Sequence, residues 1–244
     1  MVQPRLKVLL GVYPGDTDTV SLLLQWCADL GKQDADLVIV AEGDLADQWN
    51  GAGFTSKTVL RHPCPVPVRD MKMEATILKG DYLRAEYPDS PFFWMEHDSI
   101  PLCRDWLAKI VKAHGPDLET TASGNLLPSI PPHDPMGPFM NGVALYPAQY
   151  RVIPPPLGCC ILASDRTNSR LFHPKLRFIE NVRMVHVWGG EFMPGLVCED
   201  GVPSFPGADE LEFLRQTWPD AALFHRNKDG SLIVRLREEW KDLE

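Results

Sequence analysis

The sequence predicts an α/β protein: a mostly parallel sheet flanked by helices, followed by a loop-rich C-terminal half. Short uninterrupted apolar runs recur at residues 6–12, 37–41 and 92–95, the pattern of strands buried on both faces. Helical stretches fall between the first two runs and ahead of the third, so the strands are joined by crossovers rather than hairpins. The composition, 44% hydrophobic and 23% charged over 244 residues, is that of a globular chain long enough to bury a sizeable core.

Taken in order, LKVLLGV at residues 6–12 reads as a buried strand closed by Pro14-Gly15. Asp16, Thr17, Asp18 and Thr19 offer N-caps for a helix that carries Val20, Leu23, Leu24 and Cys27 and ends near Gly31. Residues 37–41 form the second strand. Residues 71–85 read as a helix that leads through Tyr87-Pro88-Asp89-Ser90-Pro91 into FFWM, the third run. From about residue 115 the pattern changes. The chain holds 23 prolines, roughly twice the usual share, and runs such as Pro154-Pro155-Pro156 interrupt long elements. Loops and short strands are expected here, at 143–146 and 184–188, with a last helix near 208–217 before a short strand. With no internal repeat and no linker, the chain reads as one domain over residues 1–244, with a first half of about 1–115 and a second of about 116–244.

The net charge is −9, which argues against a broad nucleic-acid or acidic-membrane footprint. Two basic islands remain: Lys57, Arg61, Arg69 and Lys72, and Arg166, Arg170, Lys175, Arg177 and Arg183. Either suits a solvated face as well as a phosphate contact. No apolar window reaches the length of a membrane span, and the N-terminal apolar run is too short for a signal peptide, so a cytoplasmic protein is expected. The six cysteines lack CxxC spacing, which points to reduced, buried thiols rather than a zinc site.

The third strand runs straight into charge, as FFWMEHDSIPL. Glu96 and Asp98 stand two apart, and on an extended segment that places both carboxylates on one side. Paired carboxylates resist ionising together, and a hard divalent cation such as Mg²⁺ or Mn²⁺ relieves that repulsion. The competing reading is a polar strand exit. Far downstream, FHRNKDGSL places His225 after an apolar pair and Lys228 three residues on. Neutral imidazole can complete a site for a Mn²⁺-like metal, and lysine neutralises a diphosphate as a point charge. Asp229-Gly230 reads equally as a hairpin tip.

Three blocks, FWMEHDSIPLCRDWL, FMNGVALYP and FHRNKDGSLI, together resemble metal-dependent glycosyltransferases of the GT-A fold, and more narrowly small glycosyltransferases often encoded by phages. The resemblance spans roughly residues 70 to 235. It implies a nucleotide-binding first half, a nucleoside-diphosphate sugar donor, and a metal held by Glu96, Asp98 and His225, with Lys228 on the diphosphate. Glu96 stands where many members of that fold have Asp, which leaves open whether it binds the metal directly, binds the ribose or acts through water. The resemblance also implies Tyr13 beside the nucleotide, Arg69 and Lys72 at nucleotide or phosphate, and Asn141 and Gly142 in the sugar and acceptor pocket.

An inverting enzyme of this kind needs a carboxylate base on the acceptor side. Glu191 and Asp209, or its neighbour Glu210, are the candidates, though Asp209-Glu210 also suits the first turn of a helix. The phage-type resemblance implies a hydroxymethylated pyrimidine in DNA as the acceptor, with Phe172, Trp188 or Phe192 available to stack where a flipped base had been, though each also suits the core. A glycan or small-molecule acceptor, a nucleotidyltransferase and a non-catalytic nucleotide-sugar binder are the alternatives. The nucleotidyltransferase is disfavoured by GVYPGDTDT, which follows the first strand without a basic residue.

Overall fold

The computed structural model describes residues 5–12, 15–42, 49, 51–62, 83–127, 139–151, 175–186, 197–199, 202–204, 210–225 and 229–241. The elements run β1 (Lys7–Gly11), α1 (Thr17–Asp29), β2 (Gln33–Glu42), β3 (Phe54–His62), β4 (Phe92–Met95), β5 (Ser99–Pro101), α2 (Trp106–His114), β6 (Thr121–Leu127), β7 (Phe139–Tyr146), β8 (Arg177–Glu180), β9 (Met184–His186), β10 (Val197–Glu199), β11 (Val202–Ser204), α3 (Glu210–Thr217), β12 (Leu223–His225) and α4 (Ser231–Lys241).

The main sheet has seven strands in the order β3-β2-β1-β4-β7-β6-β8. Neighbours pair parallel except around β7, which is antiparallel to both β4 and β6. The expected α/β fold with a mostly parallel, helix-flanked sheet is therefore what forms, and β4 is its central strand. The apolar run of β4 is buried at all four positions because the two faces alternate: Phe93 and Met95 pack with Val8, Leu10, Ile39 and the α1 residues Leu23 and Leu24 on one side. Phe92 and Trp94 pack with Leu9, Val38, Val40, Leu83 and Tyr146 on the other. Burying each such side chain contributes roughly 1.5–3 kcal/mol, so this strand is a firmly seated platform for a site.

α1 begins and ends where the sequence predicts. Leu30 caps it, and Gly31, at φ +90°, turns the chain into β2. Asp16 occupies the N-cap, but its side chain makes no capping hydrogen bond. Gly53 lies so close against α1 that a Cβ there would come within 2.6 Å of the Cys27 carbonyl oxygen.

Several elements differ from expectation. β3 was not expected, because FTSKTVLRH lacks a continuous apolar run. It is the edge strand of the sheet, where only one neighbour demands complementarity. The helix expected at 71–85 falls within the described residues only at 83–85, which are helical together with Glu86. The loop-rich second half still supplies β6, β7 and β8 to the main sheet. Asp229-Gly230 is no hairpin tip: the Asp229 carboxylate accepts from the Ser231 backbone N–H at 3.0 Å and starts α4.

Candidate active site

Strand order locates the site. β1 is followed by β2 on one side, while β4 joins on the other after a return past both. The crevice outside the carboxyl ends of β1 and β4 is therefore a switch point of the kind that receives ligands in open α/β sheets. Glu96 and Asp98 leave β4 at that edge.

They do not leave it extended. Residues 96–99 close a tight turn, in which the Ser99 backbone N–H donates to the Glu96 carbonyl oxygen at 3.0 Å and the Glu96 N–H donates to Ser99 Oγ at 3.3 Å. The two carboxylates converge because of this turn, not because of strand alternation. His97 is carried the other way, its Nδ1 3.3 Å from the Asp16 carboxylate at the start of α1. That contact ties the two chain segments at the switch point together and accounts for the carboxylate that does not cap α1.

A second, three-stranded sheet brings in the histidine. β12 lies between β5, antiparallel, and β9, parallel, and this register sets His225 opposite both Ser99 and His186. Ile100, Leu223, Phe224, Met184 and Val185 are all buried in this sheet, and the Trp26 indole N–H donates to the Pro101 carbonyl at 2.8 Å to pin β5 to α1. His225 Nε2 then stands 3.3 Å from Glu96 Oε2 and 3.3 Å from Asp98 Oδ1. One ligand atom from each of the three residues lies within 4.8 Å of the others.

The electrostatics are lopsided. The Asp98 side chain is wholly inaccessible, that of His225 is 8% exposed and that of Glu96 is 40% exposed. Burial pulls the His225 pKa down, but hydrogen bonding and charge from Asp98 and then Glu96 overcome it and raise it to about 9. The imidazolium thus takes the place of a cation between two acids. Two carboxylates and an imidazole nitrogen on a common centre are also the donor set of a hard to borderline divalent ion, Mg²⁺ or Mn²⁺. The residues fit such an ion.

Of the other residues singled out from the sequence, Tyr13, Arg69, Lys72, Trp188, Glu191, Asp209 and Lys228 lie outside the described residues. Asn141 and Gly142 fall within β7, where the Gly142 carbonyl accepts from the Tyr146 hydroxyl at 2.8 Å; the Asn141 side chain is outside the described set. Arg177 is engaged at home: its guanidinium donates to Asp117 at 3.0 Å and to Thr121 Oγ1 at 3.1 Å. One residue went unnoticed. His186 meets the His225 ring edge to face, with centroids 4.7 Å apart and planes at 62°. Nothing in its own surroundings in the sequence marks it; only the β9–β12 pairing does.

A cavity of about 850 Å³ lies at the opposite edge of the sheet, lined by residues that include Asp89, Pro91, Asp117, Glu119 and Gln149. It is remote from the carboxyl end of β4. Its Asp117 carboxylate is committed to Thr120, Thr121 and Arg177.

No family model and no curated protein sequence matches the chain. Solved structures do. A glycosyltransferase involved in the glycosylation of the major capsid of PBCV-1 aligns over 98% of this chain and 99% of its own, at 11% identity and a TM-score of 0.50. An active-site mutant of LgtC aligns over 95% of this chain and 94% of its own, at 10% identity and a TM-score of 0.53. The galactosyltransferase LgtC in complex with donor and acceptor sugar analogs covers 97% and 95%, at 10% identity and a TM-score of 0.50. At such identities the likeness is one of fold, and the fold is that of GT-A glycosyltransferases.

Proposed function

We propose that this protein is a metal-dependent glycosyltransferase that moves a sugar from a nucleoside-diphosphate sugar to an acceptor hydroxyl. One observation carries the reading: Glu96, Asp98 and His225 converge at the carboxyl end of the central strand, at the switch point of a sheet with this fold. Asp98, locked in the 96–99 turn and shielded from water, and His225, held by β12 between β5 and β9, are the fixed ligands. Glu96, the most exposed of the three, faces the approaching donor and serves either metal or ribose. A divalent cation held by these residues supplies positive charge for the leaving diphosphate. Lys228 adds a second positive charge there in this reading. Tyr13, Arg69 and Lys72 hold the nucleotide, Asn141, Gly142 and Trp188 line the sugar and acceptor side, and Glu191 or Asp209 serves as base in an inverting reaction.

The test is hydrolysis and transfer from a panel of nucleotide sugars with Mn²⁺, in the wild type, Asp98→Asn and His225→Ala. Each variant is expected to lose activity by about a hundredfold or more, in line with several kcal/mol of charge stabilisation. Full activity of both variants in chelator would sink the proposal.

For the acceptor, the phage-type resemblance of the three sequence blocks supports a hydroxymethylated pyrimidine in DNA, modified in the cytoplasm. The Arg177 ion pair with Asp117 leaves that basic island with less to offer a phosphate backbone than its composition suggests. Sugar transfer to hydroxymethylated duplex, compared with transfer to simple glycosides, decides between DNA and a glycan or small-molecule acceptor. DNA binding with no salt dependence would count against the DNA acceptor.

A further inference from the structure

The amino end of β4 holds a cation that glycosyl transfer does not use. Arg84 is 6% exposed. Its Nη1 donates to the carbonyl oxygens of Ser90 at 2.9 Å and Tyr87 at 3.4 Å, and its guanidinium lies over the Phe92 ring, 4.3 Å from the centroid. The remaining nitrogens, Nε and Nη2, are buried and have no hydrogen-bond acceptor among the described residues.

Those two nitrogens are a matched pair. In a guanidinium, the Nε–H and the outer Nη2–H point the same way and form the edge that grips two oxygens of one phosphate or carboxylate. The carbonyl contacts thus hold the group by its third nitrogen and leave its fork empty. No carboxylate among the described residues forms an ion pair with it, although Glu86 and Asp89 are close in sequence; both are exposed. The charge that does reach Arg84 has the same sign. Burial first, and then the neighbouring Arg151 guanidinium, lower the Arg84 pKa to about 10. Arg151 is itself exposed, and among the described residues its hydrogen bonds run from Nη1 to the carbonyls of Ala148 and Tyr150. A buried guanidinium whose outer edge has no acceptor among the described residues is costly to keep, and an anion gripped on that edge removes the cost.

We propose that Arg84 forms a second binding site, for a compact oxyanion of the phosphate or carboxylate class, gripped by its Nε–Nη2 edge, with the positive charge of Arg151 adding to the attraction. It is separate from the Glu96–Asp98–His225 cluster, because Phe92 opens β4 and Glu96 follows its last residue. Four residues of strand hold the two sites roughly 13 Å apart. The site therefore stands whether or not the glycosyltransferase reading does.

The experiment is calorimetric titration of the whole protein with inorganic phosphate and, in a parallel arm, with acetate, chloride balancing the ionic strength. Saturable binding of one anion is expected, and which arm responds names the class. Arg84→Met should weaken it at least about tenfold, the usual scale for losing a charge-assisted pair of hydrogen bonds. Arg151→Ala should weaken it about threefold, as loss of a neighbouring exposed charge does. Asp98→Asn should leave phosphate affinity unchanged. The proposal is overturned if neither anion binds the wild type saturably, if binding survives Arg84→Met, or if Asp98→Asn abolishes it. Should Arg84→Met fail to fold, the exposed Arg151→Ala decides: unchanged affinity rejects the site.

Discussion

The two ends of β4 both bury charge, and they do so in opposite ways. At the carboxyl end, two acids flank a histidine whose proton balances one of their charges. That arrangement exists only because β12, more than a hundred residues downstream, pairs with β5. At the amino end a guanidinium sits among backbone carbonyls and an aromatic ring supplied mostly by residues 84–92, with no counter-ion among the described residues. Long-range pairing can afford compensation because it chooses partners from the whole chain; a local turn takes what lies nearby. One end is thereby suited to a cation, the other to an anion. Mutations at the two ends should accordingly behave differently.

The largest effect is expected from Asp98→Ala. Removing one partner from a buried, paired cluster leaves the other charges exposed to burial without compensation, which costs about 3–5 kcal/mol. Urea denaturation of the metal-free variant at pH 6 measures it. A loss below about 1 kcal/mol would mean that the carboxylate is not the counter-ion of His225.

The next effect is a pH dependence with a definite sign. The His225 pKa is raised from 6.5 to about 9 in the folded protein, so the native state holds this proton more tightly than the unfolded one. Its contribution is complete below the unfolded pKa and is lost as pH rises through the folded one. Metal-free protein should therefore lose on the order of 3 kcal/mol between about pH 6.5 and 9. Saturating Mn²⁺ takes the neutral imidazole, so the slope should flatten or reverse with metal bound. A metal-free stability that does not fall over this window places the proton elsewhere.

How much of this could be read in the residues alone divides along the same line. The strand platform was visible because burial on both faces forces continuous apolar runs, as at residues 37–41 and 92–95. β3 was not, because an edge strand escapes that requirement. Glu96, Asp98 and His225 were found as residue types at the ends of apolar segments, yet the reason for their meeting was misjudged: a turn, not an extended strand, joins the acids. His186 and Arg84 were invisible. The first is defined by register with β12, and the second by what fails to touch it. Neither pairing nor its absence leaves a mark on neighbouring letters.

His186 gives a smaller test. Its ring supports that of His225 edge to face, so in the proposed metal site it would act through a ligand rather than as one. His186→Leu should lower Mn²⁺ affinity about tenfold, the low end for residues that orient a ligand. With Mn²⁺ raised to saturation, turnover should return close to wild type. A turnover that stays low at saturating metal would give His186 a direct role in the reaction instead.

The smallest effect should come from Arg84→Met in buffer free of phosphate and carboxylates. Methionine keeps an unbranched stem for packing against Phe92 and loses the hydrogen bonds to Ser90 and Tyr87. Those losses are worth about 1 kcal/mol apiece at most, and the removed cost of an uncompensated buried cation works against them. The net change should stay below about 1 kcal/mol. Here the contrast with Asp98→Ala is sharpest, since both substitutions delete one buried charge close to the same four-residue strand. A large destabilisation by Arg84→Met without any added anion would show that the guanidinium already has its counter-ion within the chain, and the two ends of β4 would then be alike.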